Sequence, residues 1–255
     1  MVVEVVSRVS NRINEVLMRL GLILTRRANV IPSERLSQSR QNLFRILDFE
    51  VVVDVGANSG QWASSIRLDG YTGLIVSLEP IPRVFTELAL NAVADEKWIA
   101  INGAIDSARG LRDLYISSNH GLSSSFFPLL DDHKIAVPEV NFIGVEQVET
   151  YPLEELLLMY QSQRFFIKID TQGSELIALQ SMSTESFKKI LAVEVEVSLV
   201  GTYESCPLIE EIISYMRTRN FRPYRIENGL ARPNFGQQVQ VDILFIREDL
   251  SHAVP

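Results

Sequence analysis

The sequence predicts an α/β fold: a mostly parallel sheet with helices on both faces, finished by an antiparallel hairpin. Three observations carry this reading. After a break at Ile31-Pro32-Ser33, strand-like apolar runs alternate with helix-like stretches, as expected of a sheet covered on both faces. The segment VVVDVGANSG, residues 51–60, runs from a β-branched strand through a glycine turn into a helix-compatible stretch. The last two apolar runs, FRPYRIEN and QVQVDILFIR, are joined only by GLARPNFGQ, a connection too short for a crossover helix, so they must pair antiparallel.

Taken in order, the first strand is 51–55, broken by Gly56, with a helix near 60–69. A second strand, 73–78, closes at Leu78-Glu79-Pro80 and leads to a helix near 82–94. Strands at 97–102 and 111–117 follow. A helix near 152–161 precedes the FFIKID strand, 164–169, and another helix begins near Gly173 and runs to 181. The run LAVEVEVS marks a strand over 189–197, and Pro207 marks the entry to a helix over 206–219. The hairpin strands, 221–227 and 238–246, complete the set. Residues 106–150 fit the alternation least well and are expected to cover the active site. The sequence shows no internal repeat and no low-complexity tract.

With 255 residues and 46% hydrophobic content, the chain has material for one sizeable core, since single α/β domains reach roughly 200–250 residues. The expected organisation is an N-terminal amphipathic extension over 1–32, one domain over 33–250 and a tail over 251–255. A net charge of -8 argues against a protein that holds nucleic acid by neutralising phosphates; a small polar substrate fits better. Cys206 is the only cysteine, which excludes an internal disulfide framework or a cysteine-based zinc site and suits the cytoplasm. With Pro207 after it, Cys206 reads as an ordinary helix entry rather than a nucleophile.

In the extension, Val2, Val5, Val6, Val9, Ile13, Val16, Leu17, Leu20 and Leu24 recur at helical spacing, with Arg8, Arg12 and Arg19 between them. These charges interrupt the apolar run of roughly 18 residues that a bilayer span needs. Glu4 and the lack of a small-residue cleavage site argue against a secretory signal. A helix packed on the domain or on a partner subunit is the favoured reading, and contact with a membrane surface is the second.

The glycine turn points to a nucleotide-type cofactor. Without a Cβ, Gly56 lets backbone approach a ligand, and the following helix N-terminus offers N–H groups to a carboxylate or phosphate. A dinucleotide fingerprint requires a second glycine where this chain has Asn58. A diphosphate would meet that side chain. S-adenosylmethionine has no phosphate: its amino group can donate to Asp54 and the loop carbonyls, and its carboxylate can face the helix. Glu79, ending the second strand, is placed to accept ribose hydroxyls, as an acid there would for NAD as well.

The motifs DVGANSG, LEP, NGAID, KIDTQGSE and QVDILFIR, in this order and spacing, resemble the FkbM family of S-adenosylmethionine-dependent methyltransferases over about residues 50–247. The resemblance implies a Rossmann-like class I methyltransferase fold with a mostly parallel seven-stranded sheet. It implies that Asp54, Gly56, Asn58 and Gly60 hold the methionine end, Glu79 the ribose, and Ala104 and Ile105 the adenine. It also implies O-methylation of a sugar, glycan or secondary-metabolite hydroxyl. The chain departs from the family's pattern at Leu153-Glu154-Glu155, where relatives often show Leu-Asp-Asp, and at Gln172, where many carry Glu.

For a weakly acidic hydroxyl the protein must align the acceptor and take a proton. Asp170, at the strand end where open α/β sheets bind ligands, is the first candidate; as a helix cap it would be ion-paired near Lys168 and Glu175. His120, in a loop suited to cover the site, is the second. His133 reads as a solvated loop residue and His252 lies in the tail. Ser123, Ser124 and Ser125 read first as loop, then as ligand contacts. Glu194 and Glu196 share one strand face and with Asp170 offer oxygens to magnesium, but strand-end carboxylates more often bind backbone or arginine, so no metal is expected. The place of an Asn/Asp-Pro-Pro-aromatic element, which grips nucleobase amines, holds Asp170-Thr171-Gln172-Gly173. The competing classes are a non-catalytic module that keeps the fold and a nicotinamide-dependent oxidoreductase. The expected location is the cytoplasm, with the N-terminal helix as the one candidate for membrane contact. Liposome flotation tests that contact: if the helix binds membranes, full-length protein floats with anionic vesicles and a truncation lacking residues 2–27 does not, whereas equal behaviour removes this reading.

Overall fold

The computed structural model describes residues 33–233 and 236–250. The expected N-terminal helix over 1–32 and the tail with His252 lie outside the described residues. The chain divides into units of residues 1–40 and 41–255, and the second holds the sheet and the site. Among the described residues no helix is long and apolar enough to cross a membrane.

Helix α1, Ser33–Leu47, leads into β1, Val51–Val55, and α2, Gln61–Leu68. Then come β2, Leu74–Glu79, α3, Pro82–Ala92, and β3, Trp98–Asn102. The short β4, Ala104–Ile105, is followed by β5, Gly110–Ser117, α4, Asp131–Ala136, and β6, Phe142–Tyr151. Helix α5, Leu153–Leu158, precedes β7, Phe165–Ile169, α6, Glu175–Gln180, and α7, Thr184–Phe187. The chain closes with β8, Ile190–Ser198, α8, Ile209–Thr218, β9, Phe221–Asn228, and β10, Gln240–Arg247.

Seven strands form the main sheet in the order β3-β2-β1-β7-β8-β10-β9. The first five run parallel, and β10 is antiparallel to both neighbours, as the short last connection requires. β1 pairs with β2 on one side and β7 on the other, so the winding reverses direction there. Such a switch point opens a crevice beyond the carboxyl ends of the strands, and Asp54, Gly56 and Asp170 lie at this edge.

Strand parity sorts the core. Val51, Val53, Val55, Phe165, Ile167 and Ile169 face α5, α6 and α8, while Val52 and Phe166 face α1, α2 and α3. On the second face Phe166 is a hub, its ring 5.0 Å from Phe44, 5.2 Å from Phe49 and 5.6 Å from Trp62. Helix α1 was not expected from the sequence; its last turns bring Leu43, Phe44 and Leu47 onto this face.

The predicted strand 111–117 exists, but outside the main sheet. It forms a second sheet in the order β4-β6-β5, with β6 an unexpected strand. Of the ten residues of β6 only Val148 and Thr150 are buried, so its sequence carries little hydrophobic alternation to read. Helix α4 was missed for a similar reason: it buries only His133 and Ala136. Ile81, Val84, Leu114, Ile116 and Val148 join this small sheet to the main body. Replacing Phe166 by alanine removes contacts on three sides and should cost about 3–5 kcal/mol of stability, read as a lowered midpoint in urea unfolding.

Candidate active site

The turn after β1 is bolted to both neighbouring strands. Gly56 has φ 79°, and a Cβ there would sit 1.8 Å from the carbonyl oxygen of Asp170. No side chain fits. The amides of Gly56 and Ala57 both donate to the carbonyl of Leu78, at 3.1 and 2.8 Å. A cavity of about 450 Å³ opens over this turn, and Asp54, Gly56, Asn58, Glu79, Ala104 and Asp170 line it.

Asp54 is fully buried. Its Oδ2 accepts a hydrogen bond from Ser77 Oγ at 3.3 Å, and its Oδ1 has no partner among the described residues. Burial raises its carboxyl to about 6, with the Lys168 ammonium opposing. Glu79 accepts from the amide of Asn58 at 3.0 Å and that of Ile81 at 2.9 Å. Burial raises it to about 7, against the pull of those two N–H groups.

Asn58 also works inside the protein. Its Nδ2 donates to the carbonyl of His120 at 3.0 Å, and its Oδ1 accepts from the amide of Ser59 and from Gln61 Nε2. Gly60 has φ 88°, and a Cβ there would lie 2.7 Å from the ring of Trp98. It is outside the cavity lining, so its need for glycine comes from the indole beneath it. Ala104 and Ile105, in β4, form one wall with Leu114 and Phe126. The Arg112 guanidinium sits 4.2 Å from the Phe126 ring centroid and pairs with Asp106 at 2.8 Å.

Register aligns a polar row across the sheet face beneath α2: Ser77, Asp54, Lys168 and Glu194 are successive partners on β2, β1, β7 and β8. Lys168 Nζ donates to Asp170 Oδ2 at 3.0 Å. Burial alone would lower its pKa, but Asp170, Asp54 and Glu194 more than offset that and raise it. Trp62 Nε1 donates to Glu194 Oε1 at 3.0 Å.

Asp170 lines the cavity with both oxygens held. Besides Lys168, it accepts from Gln172 Nε2 at 2.8 Å. The same amide group donates to Glu196 Oε2 at 2.7 Å, while Gln172 Oε1 accepts from the Tyr203 hydroxyl at 2.6 Å. The turn is closed by Glu175, whose Oε1 accepts the amides of Thr171 and Gly173, rather than by Asp170 as a cap. Glu196 also accepts from Gln240 Nε2 at 2.8 Å. Donors thus occupy both oxygens of Asp170 and one each of Glu194 and Glu196, and among the described residues no group of three or more His, Cys, Asp or Glu is arranged for a metal.

The His120 ring is turned away from the cavity lining, its Nε2 2.9 Å from Glu87 Oε2. Of the serine cluster, Ser124 lines the cavity and Ser125 Oγ donates to the carbonyl of Gln172 at 2.6 Å. His133 is a correction: instead of a solvated loop residue it is buried, 5.2 Å from the Tyr203 ring, and burial lowers its pKa. Glu154 holds the amide and hydroxyl of Ser183, and Glu155 pairs with Arg109; neither lines the cavity. Lys168, Trp62, Ser77 and Tyr203 were not legible as site residues. Ser77 and Lys168 share the row of Asp54 only through strand register.

A family model for the methyltransferase FkbM domain matches residues 54–223. The chain belongs to the FkbM methyltransferase family. It is an S-adenosylmethionine-dependent methyltransferase, and its mostly parallel seven-stranded sheet with a terminal antiparallel hairpin is the class I arrangement. Similar solved structures include an rRNA methylase from Streptococcus thermophilus (9% identity, TM-score 0.45, 89% of this chain and 99% of that one). Another is precorrin-6y C5,15-methyltransferase from Geobacter metallireducens (11%, 0.43, 88% and 92%). A third is Aeropyrum pernix fibrillarin with natively bound S-adenosyl-L-methionine (12%, 0.43, 78% and 66%). No curated protein matches the chain.

The residues of this FkbM domain fit the donor. The orphaned Asp54 Oδ1 is a buried acceptor suited to an ammonium, and Glu79, with two N–H groups already on it, has lone pairs left for hydroxyls. Buried carboxyls held near 6 to 7 favour the folded state at low pH, and that contribution is lost as pH rises through these values. Asp54, Glu79 and Asp242, which burial raises to about 7, act in this direction; His133, with its pKa lowered, opposes below about 6.5. Ligand-free protein should therefore melt at a higher temperature near pH 5.5 than at pH 8 in circular dichroism, and Asp54→Asn should reduce the difference.

Proposed function

We propose that this FkbM methyltransferase methylates a hydroxyl oxygen of a sugar, glycan or secondary metabolite. The observation that carries the reading is Asp170, a carboxylate in the cavity wall beside the Asp54 turn, with both oxygens steered by Lys168 and Gln172. An alcohol is too weakly acidic to react well without a proton acceptor. No side chains here resemble the flat proline-aromatic grip used for nucleobase amines, since that position holds Asp170-Thr171-Gln172-Gly173. The resemblance of the motifs to the FkbM family supports oxygen as the target.

When bound, S-adenosylmethionine supplies a methyl group on a sulfonium sulfur, open to in-line displacement by a nucleophilic oxygen. Asp54 would hold its amino group, Glu79 its ribose hydroxyls, and the wall of Ala104, Ile105, Leu114 and Phe126 its adenine. Asp170 takes the acceptor hydroxyl proton as the oxygen–carbon bond forms. Lys168 aims that carboxylate through one oxygen, and Gln172 fixes the other. His120 contributes through its carbonyl, which ties the segment over the cavity to Asn58. The protein works in the cytoplasm on a small-molecule or glycan acceptor.

The test combines cofactor binding with acceptor screening. Calorimetry should show S-adenosylmethionine binding that weakens at least tenfold in Asp54→Ala and Glu79→Ala, as loss of a charged hydrogen bond of about 1.5–3 kcal/mol predicts. Labelled cofactor with a panel of hydroxyl acceptors, followed by mass spectrometry, should place the methyl on oxygen. Asp170→Asn should bind cofactor normally and lose about 10²–10⁴-fold in turnover. A methyl found on nitrogen or carbon overturns the reading.

A further inference from the structure

We infer that Ser77 and Trp98 are positioning residues for the methyl donor, forming a one-way hydrogen-bond chain that aims the free oxygen of Asp54 into the cavity. The inference rests on the reading of Asp54 as the acceptor for the donor's amino group. Trp98 Nε1 lies 3.0 Å from Ser77 Oγ, and Ser77 Oγ lies 3.3 Å from Asp54 Oδ2. Asp54 and Ser77 have no exposed surface and Trp98 retains 8%, which leaves solvent little room to compete.

The direction of the chain follows from the groups themselves. An indole N–H donates and never accepts. Ser77 Oγ must therefore accept from Trp98, and its own proton is directed to Asp54. The carboxylate is fixed through Oδ2, and Oδ1, without a partner among the described residues, is left for a ligand. Neither Ser77 nor Trp98 lines the cavity, so both act through Asp54. The indole is itself held by Gly60, the last glycine of the turn, where any Cβ would strike the ring. Gly60 thus serves the donor site from beneath.

The charge around Asp54 defines a readout. Lys168 on β7 stabilises its ionised form, Asp170 and Glu194 oppose it, and the Ser77 hydroxyl supports it; Glu79 on β2 is raised by burial and, to a smaller extent, by Asp54. An ammonium needs the ionised carboxylate. Donor affinity should therefore fall as pH drops below about 6, where empty Asp54 is protonated. Removing the Ser77 proton donor moves that fall to higher pH.

The experiment is calorimetric titration of S-adenosylmethionine into the full-length protein from pH 5 to 8. Asp54→Asn should lose the limb assigned to Asp54 and bind at least tenfold more weakly at pH 8, leaving only the dependence due to Glu79. Ser77→Ala should keep the limb but shift its midpoint upward by about one pH unit, about tenfold in affinity below the midpoint. Trp98→Phe should shift it the same way. Ser77→Cys, close in volume and a weak donor, supplies the measurement if the alanine protein does not fold. Unmoved midpoints in the serine and tryptophan variants, with Asp54→Asn impaired, overturn the inference alone. Normal binding by Asp54→Asn overturns the reading of Asp54 beneath it.

Discussion

One buried cation organises this active site. Lys168 lies on the sheet face between Asp54 and Glu194 and donates to Asp170. Burying a carboxylate without a counter-charge costs several kcal/mol. The Lys168 ammonium in the same row offsets part of that cost for Asp54. What it leaves is visible in Asp54, still raised to about 6. The row thus leaves one acid only partly offset, with an oxygen that has no partner among the described residues.

The second constraint is the turn over this row. Gly56 packs against the carbonyl of Asp170, which joins the loop after β1 to the strand end that carries the proposed base. Around it, backbone and side chains are spent on internal bonds: Asn58 to His120, Ser125 to Gln172, Tyr203 to Gln172. The first two fasten the segment between β5 and β6 to the sheet edge. Gln172 is central because its amide donates to Asp170 and Glu196 at once. A carboxylate at this position would face two others and lose both of these donated hydrogen bonds.

Much of this was legible because strands and turns obey local rules. The first strand, the glycine turn, the acid at the end of β2 and the closing hairpin follow from β-branched runs, positive-φ glycines and a short connection, all properties of neighbouring residues. Asp54, Glu79 and Asp170 could be singled out as cavity residues because each lies at or beside the end of a strand on the side where such sheets bind ligands. Strand β6 and helix α4 were illegible because they bury few side chains and so leave no periodic imprint. His133 looked solvated because DDHK is polar, yet the helix turns its ring onto Tyr203.

The sequence by itself determined the fold class, the glycine turn after β1 and the acids at the strand ends, since backbone preference and spacing operate within a few residues. Only the tertiary structure decided which groups those acids meet. Ser77, Lys168 and Glu194 join Asp54 through strand register, and Trp98 reaches Ser77 from the edge strand beneath Gly60. Register and packing are settled by contacts distant in the chain, and these carry no signature in the order of the residues.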